Sequence, residues 1–406
     1  LQTRNDNILL AGFPRTRERA MNKTIKPFRI EVSDAILNDL QQRLRNIRWP
    51  EPQPLNDWSQ GIPLDYMQEI TAYWRDDYDW RARETLLNRF PQFMTTIDGL
   101  DIHFIHVRSP HSHALPLVIS HGWPGSIVEF HKIMGPLTDP GSHGGNNDDA
   151  FHLIVPSLPG FGFSGKPSRT GWSVERIADA WNELMLQLGY RQYFAQGGDW
   201  GSMITTCLAI RYPERLQGIH VNMPIVDFSK CPMDNLTARE QEYLAGVKYY
   251  QDWDSGYSKQ QSTRPQTLGY GLVDSPAGQA AWILEKMQAW TDCDGHPENV
   301  LTRLELLDNI MLYWLTASGA SSARIYWESF NKPNVQEVHV PTGCSIFPKE
   351  IFRISRRWAK TRFKNLHYWN ELDKGGHFAA FEQPDLFTGE LRDCFRQLRQ
   401  SSASRG

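Results

Sequence analysis

Short, continuous apolar runs alternate with helix-period segments through much of this chain. Leu115 to Ile119, His152 to Pro156, Arg191 to Gln196 and Leu216 to Val221 are each brief and apolar enough to be strands covered on both faces. Between them, 127–137 predicts a crossover helix, 178–188 leads into the third strand, and 202–211 predicts a buried helix. Strands alternating with helices predict an α/β fold with a mostly parallel sheet flanked by helices. Phe93 to Ile97 and Ile102 to His106, separated by Asp98-Gly99, predict a hairpin at its edge.

The alternation is absent at two places. Residues 22–92 predict a mostly helical, proline-rich meander. Ser33 caps a helix carrying Ile36, Leu37, Leu40 and Leu44 that ends at Arg48-Trp49-Pro50, and further helices are expected at 64–73 and 80–88. From 226 to 335 the pattern is helical again, clearest at 280–290 and 301–315. Strand patterns resume at 336–340, 343–347 and 366–369, so 93–225 and 336–406 form the two parts of one core. The helical stretch between them predicts a lid. Residues 1–21 are charged and patternless and read as a poorly ordered leader, with Met21 a candidate start.

The chemistry concentrates in Gly197-Gly198-Asp199-Trp200-Gly201, between a predicted strand and a predicted helix. Glycines at 197 and 201 let the chain turn sharply, the context of a nucleophile elbow that holds one side chain exposed at the top of an α/β-hydrolase sheet. Here that side chain is a carboxylate. A serine attacking saturated carbon would leave an ether that no histidine could help to hydrolyse. An aspartate leaves an ester, which water can cleave. Epoxides and haloalkanes are the substrates such a nucleophile suits.

His121-Gly122-Trp123-Pro124-Gly125 directly follows the 115–119 strand, where this architecture places one oxyanion-hole N–H, here that of Trp123. The second is expected from Trp200, the residue after the nucleophile. Gly375-Gly376-His377-Phe378 follows the last strand and makes His377 the candidate base. Two carboxylates compete to orient it: Glu350, after the 343–347 strand, and Asp227, after the 216–221 strand. Glu350 is preferred. Opening an epoxide also needs an acid for the departing oxygen; tyrosine suits that role, and composition alone does not say which one.

Composition narrows the classes. The formal net charge is only -3 and no basic cluster stands out, which argues against nucleic acid and anionic membrane as partners. The five cysteines are scattered without a CxxC, against structural zinc or a disulfide framework, and favour a reducing compartment. His111 and His113 read as a solvated loop rather than a metal site. No cofactor or metal is expected. No run approaches the roughly 18 apolar residues of a membrane span. The oligomeric state is left open between monomer and homodimer.

Taken together, these residues resemble the microsomal-type epoxide hydrolases. The likeness runs from about residue 27 onward: Phe28-Arg29-Ile30, Arg48-Trp49-Pro50, Phe90-Pro91-Gln92-Phe93, His121 to Ser126, Pro156 to Phe161, Gln196 to Ser202, Ser262-Thr263-Arg264-Pro265, Phe347 to Glu350 and Gly375 to Ala380. The resemblance implies Asp199 as nucleophile, Glu350 as acid, His377 as base, and two lid tyrosines, Tyr257 and Tyr326, as the oxygen-binding pair. Tyr249, Tyr250 and Tyr270 lie close to Tyr257 in sequence and compete with it. Vertebrate members carry an N-terminal membrane anchor with no counterpart in these residues, so a soluble, cytoplasmic enzyme acting on an apolar epoxide and water is expected. The nearest rival is a haloalkane dehalogenase using the same aspartate. A non-catalytic receptor on this scaffold is disfavoured because no catalytic residue is missing.

Overall fold

Leu117, Val118 and Ile119 are fully buried, as a strand covered by helices on both faces must be. In the computed structural model, which describes residues 25–55, 57–330 and 334–403, that run lies inside a nine-stranded sheet. The strands are β1 (Lys26–Phe28), β2 (Gln92–Ile97), β3 (Leu100–Val107), β4 (Leu115–Ser120), β5 (Phe151–Pro156), β6 (Tyr193–Gly197), β7 (Leu216–Val221), β8 (Thr342–Ile346) and β9 (Leu366–Glu371). Their spatial order is β1-β2-β3-β5-β4-β6-β7-β8-β9. The β1/β2, β2/β3 and β3/β5 pairs are antiparallel and all the others parallel. After β5 the chain passes β4 and continues on its far side as β6. The C-terminal ends of β4 and β6 therefore flank a topological switch point, where open α/β sheets bind ligands.

The β2–β3 hairpin turns through Asp98 and Gly99, both at positive φ (51° and 78°), as a two-residue turn of matching twist requires. Three expectations change. The 127–137 crossover is not one helix but a 3-10 turn (Ile127–Phe130) and a short helix (Met134–Thr138). Pro136 has no N–H to give Lys132, so a helix cannot run through it, although it fits a first turn. Residues 336–340 form no strand; Val338 makes a single parallel bridge to Phe363, and the chain joins the sheet only after Pro341. β1 escapes prediction because three residues, one of them Pro27, carry no readable period. The 1–21 leader lies outside the described residues.

Between β7 and β8 stand the lid helices, Ala238–Tyr249, Gly256–Thr263, Pro265–Asp274, Pro276–Trp290, Arg303–Leu315 and Gly319–Ser329, with a π-helical turn at Tyr250–Asp254. The N-terminal helices (Asp34–Arg45, Leu64–Asp76 and Trp80–Leu87) strap onto this lid. Arg83 pairs with the buried Asp308, which also accepts the Tyr78 hydroxyl at 2.8 Å. Arg303 of the lid reaches Glu298 at 2.9 Å and Glu69 of the meander at 2.7 Å, and Tyr66 donates to Glu298 at 3.0 Å. Arg43 meets Asp274 at 2.8 Å. Among the described residues no helix is long and apolar enough to cross a membrane.

Candidate active site

β6 ends at Gly197 and the next helix, Asp199–Arg211, begins at once. The turn between them is too tight for side chains. A Cβ on Gly197 would collide with the Gly201 carbonyl, one on Gly201 with the Ser120 carbonyl, and one on Gly122 with the Asp199 carboxylate. Asp199 itself is held at φ 49°, a left-handed conformation that a non-glycine residue adopts only when its surroundings impose it. The result is a carboxylate standing at the carboxyl edge of the sheet beside the β4 loop. Trp123 N–H of that loop donates to Asp199 Oδ1 at 2.8 Å. Trp200 N–H sits in the first turn of the helix, where N–H groups have no intrahelical acceptor.

His121, in the same loop, is structural. Its Nδ1–H donates to the Gly122 carbonyl at 3.0 Å and its Nε2 accepts Leu158 N–H at 3.2 Å, which requires the neutral ring. Burial agrees, lowering its pKa to about 4.

His377 comes from the loop after β9, and Glu350 from the loop after β8. Lys349 N–H donates to the Gly375 carbonyl at 3.1 Å, which holds the two loops side by side. Glu350 Oε1 then meets His377 Nδ1 at 2.5 Å, while His377 Nε2 lies 3.2 Å from Asp199 Oδ2. Burial on its own would lower the His377 pKa, but Glu350 on one side and Asp199 on the other outweigh it and hold the ring well above 6.5. Asp227, the competing carboxylate, instead caps the Phe228–Lys230 turn and accepts Ser229 N–H at 3.0 Å.

Tyr257 and Tyr326 come from two lid helices and meet above Asp199, their rings 5.7 Å apart. Trp123 stacks on Tyr257 at 5.0 Å, and Trp200 packs edge-on against Tyr326 at 4.8 Å. Tyr326 Oη is buried and makes no well-formed hydrogen bond to the protein. Burial raises both phenols well above 10, with the Asp199 charge adding to it, so both stay protonated and able to donate. Asp199, Tyr257 and Tyr326 line one cavity of about 280 Å³ whose other walls include Met203, Met223, Val226 and Phe352. A larger groove of about 840 Å³ between meander and lid is lined by none of these catalytic candidates.

Sequence reasoning offered Tyr250 only as a rival to Tyr257 and missed other residues around the site. Tyr250 hydrogen-bonds Tyr257 at 3.0 Å from the π-helical turn, and the Trp290 carbonyl accepts His377 N–H at 2.8 Å. Lys286, nearly buried, sits 4.9 Å from the Tyr257 ring centre and 2.8 Å from Asp254. Glu129, a buried carboxyl in the apolar run Ile127 to Phe130, carried a signal in the sequence itself: a lone charge among core residues. Among the described residues no group of three or more His, Cys, Asp and Glu side chains is arranged to hold a metal. His111 instead meets Asp139 at 2.9 Å, and His113 donates to the Asn147 carbonyl at 2.9 Å.

Residues 25–130 match the model of the epoxide hydrolase N terminus, and 116–272 that of the α/β-hydrolase fold. The chain is 55% identical to a homologue from Stigmatella aurantiaca over 92% of this chain and 86% of that one. It is 39% identical to Epoxide hydrolase 1 of Sus scrofa, over 94% of this chain and 90% of that one. The juvenile hormone epoxide hydrolase of the silkworm Bombyx mori superposes with a TM-score of 0.87 at 32% identity, covering 94% of this chain and 96% of that one. With the strand-end constellation and the lid tyrosines already in place, these likenesses close the question of kinship: the chain belongs to the epoxide hydrolase family of the α/β-hydrolase superfamily.

Proposed function

We propose that this chain converts apolar epoxides to vicinal diols in two covalent steps at Asp199. The observation that carries this reading is an elbow carboxylate, 3.2 Å from an imidazole, sharing a cavity with two protonated tyrosines. In the first step Tyr257 and Tyr326 hydrogen-bond the epoxide oxygen while Asp199 Oδ2 attacks a ring carbon from the opposite side. The ring C–O bond breaks and its electron pair stays on oxygen, which takes a tyrosine proton. Esterification removes the Asp199 charge, and with it one of the two charges that hold His377 protonated. His377 releases its proton, which restores the phenol, and becomes a neutral base.

In the second step water attacks the Asp199 carbonyl carbon and gives a proton to His377, oriented by Glu350. The oxyanion forms on Oδ1, where Trp123 N–H already points, with Trp200 N–H as the second donor. Collapse expels the diol oxygen, which takes the proton back from His377, and the acid proton left on Asp199 then passes to His377 and restores the starting ion pair. Apolar walls such as Met223 and Phe352 favour an apolar substituent on the epoxide. The five buried free cysteines favour a reducing, cytoplasmic setting.

The test is one turnover with enzyme in excess over a simple aryl epoxide in ¹⁸O-labelled water. The expected diol is unlabelled, because its new oxygen comes from Asp199. Labelled diol would mean direct attack by water and would remove the covalent step.

A further inference from the structure

A second cavity lies on the other side of Asp199. It is small, about 20 Å³, and its walls include the β4 loop, Glu129, Gln196, Asn222 and His377. Among the described residues, Asp199 is the one that lines both this chamber and the 280 Å³ substrate cavity. The chamber therefore touches the nucleophile and the base but not the lid tyrosines.

Its size and its walls point to the same occupant. A volume of about 10–15 Å³ or more holds one water, provided that two to four polar groups face it. Two of the lining side chains have a buried oxygen with no well-formed hydrogen bond to the protein, Glu129 Oε1 and Gln196 Oε1, and a third, His377, turns Nε2 toward Asp199 Oδ2 at 3.2 Å, a partner whose charge is lost when the ester forms. Leaving either oxygen unpaired is costly, and two such acceptors beside the base around one water-sized space make the arrangement of a built water site.

Glu129 reaches this position by folding back over Gly125. A Cβ at Gly125 would coincide with the Glu129 carboxylate, so the glycine and the glutamate four residues later are matched. Burial raises the Glu129 pKa to about 8, the neighbouring Asp199 charge adding to it and His377 opposing it. Glu129 thus senses both partners of the hydrolytic step. When the Asp199 charge disappears into the ester, one of the influences holding Glu129 protonated goes with it.

We propose that this chamber holds the water that hydrolyses the ester, and that Glu129 is the residue that orients it. Glu129 Oε1 accepts one O–H of the water while neutral His377 Nε2 accepts the other, leaving a lone pair aimed at the Asp199 carbonyl carbon. This rests on the covalent mechanism above and adds a residue that acts in its second half alone. Epoxide and water then reach Asp199 from separate cavities, and neither displaces the other.

The test follows the two steps separately by rapid quench and intact-protein mass analysis, with a simple aryl epoxide and the variants Glu129→Gln and Glu129→Met. Gln keeps an acceptor oxygen but no ionisable group; Met keeps the bulk and loses both. Ester formation should stay within about threefold of the parent in each. Ester breakdown should slow about tenfold in E129Q and about 100-fold in E129M, so that the ester accumulates. If E129M does not fold, the selective loss in E129Q decides alone. Breakdown at the parent rate in a folded variant, or an equal loss in both steps, would overturn the role of Glu129. Absence of any ester in the parent enzyme would instead remove the covalent mechanism itself, and the two failures are distinguishable.

Discussion

The two halves of this site are built by different rules. The lower half hangs from strand ends: Asp199 after β6, Trp123 after β4, Glu350 after β8 and His377 after β9. The upper half, Tyr257 and Tyr326, projects from lid helices that belong to no sheet. A sheet confines its functional groups to its carboxyl edge, one loop per strand, so position along the chain and position in the site are linked. A helical lid imposes no such link. On the proposed mechanism, the lower half supplies the nucleophile and the base that break the ester, while the upper half holds and protonates the epoxide oxygen as the ester forms.

Removing the nucleophile gives the sharpest contrast. Asp199→Ala should lower diol formation by about 10⁴-fold or more with no ester detectable and the fold intact, as a single-turnover assay beside circular dichroism would show. His377→Gln separates the two steps: ester should still form once, and its breakdown should fall by about 10³-fold, visible as a burst without steady turnover. Ester lost along with breakdown would mean that the lower half does not divide as argued. The lid is tested by Tyr257→Phe with Tyr326→Phe. The double variant should slow ester formation about 10²–10³-fold and leave breakdown nearly unchanged, measured by stopped-flow tryptophan fluorescence.

Smaller effects fall on stability. Asp308→Ala leaves Arg83 unpaired between meander and lid and should cost about 3 kcal/mol in urea denaturation, while ester breakdown in the folded fraction stays near the parent rate. The mildest effect is pH dependence. Because His377 is held well above 6.5 in the folded protein, the stability from its pairing is complete below pH 6.5 and is lost as pH rises through the raised value. The Tm gap between the parent and His377→Gln should therefore be widest near pH 6 and narrow steadily under alkaline conditions. A constant gap would mean that His377 is not protonated in the free enzyme.

The same contrast explains what the sequence disclosed. The elbow, the His121-Gly122-Trp123-Pro124 loop and Gly375-Gly376-His377 were legible because glycines mark places where backbones pass too closely for a Cβ, and each follows an apolar strand. The lid tyrosines had no such marker: with fourteen tyrosines in the chain, most of them packed aromatics, only resemblance selected Tyr257 and Tyr326. Lys286 was invisible, and Tyr250 stood only as a rival to Tyr257 and not as its partner, because their positions depend on how the lid helices fold over one another. The strand missed at Lys26–Phe28 and the strand expected at 336–340 fail for a related reason. Pairing with a neighbour, not local periodicity, decides whether so short a segment joins a sheet.

The strap of the N-terminal helices across the lid makes this enzyme a sieve rather than a trap. A lid tied down at Asp308, Arg303 and Asp274 does not swing as a body without breaking several ion pairs together. On the proposed function, selection among epoxides is then set by the dimensions of the standing 280 Å³ cavity, before any chemistry begins. Its gauge rests with a few side chains, such as Phe330 and Phe352, that carry none of the bonds holding lid to meander. Trimming them should change which epoxides fit, and because Phe330 stacks on Tyr326 and Phe352 packs on Tyr250, it should also loosen the support of the lid tyrosines.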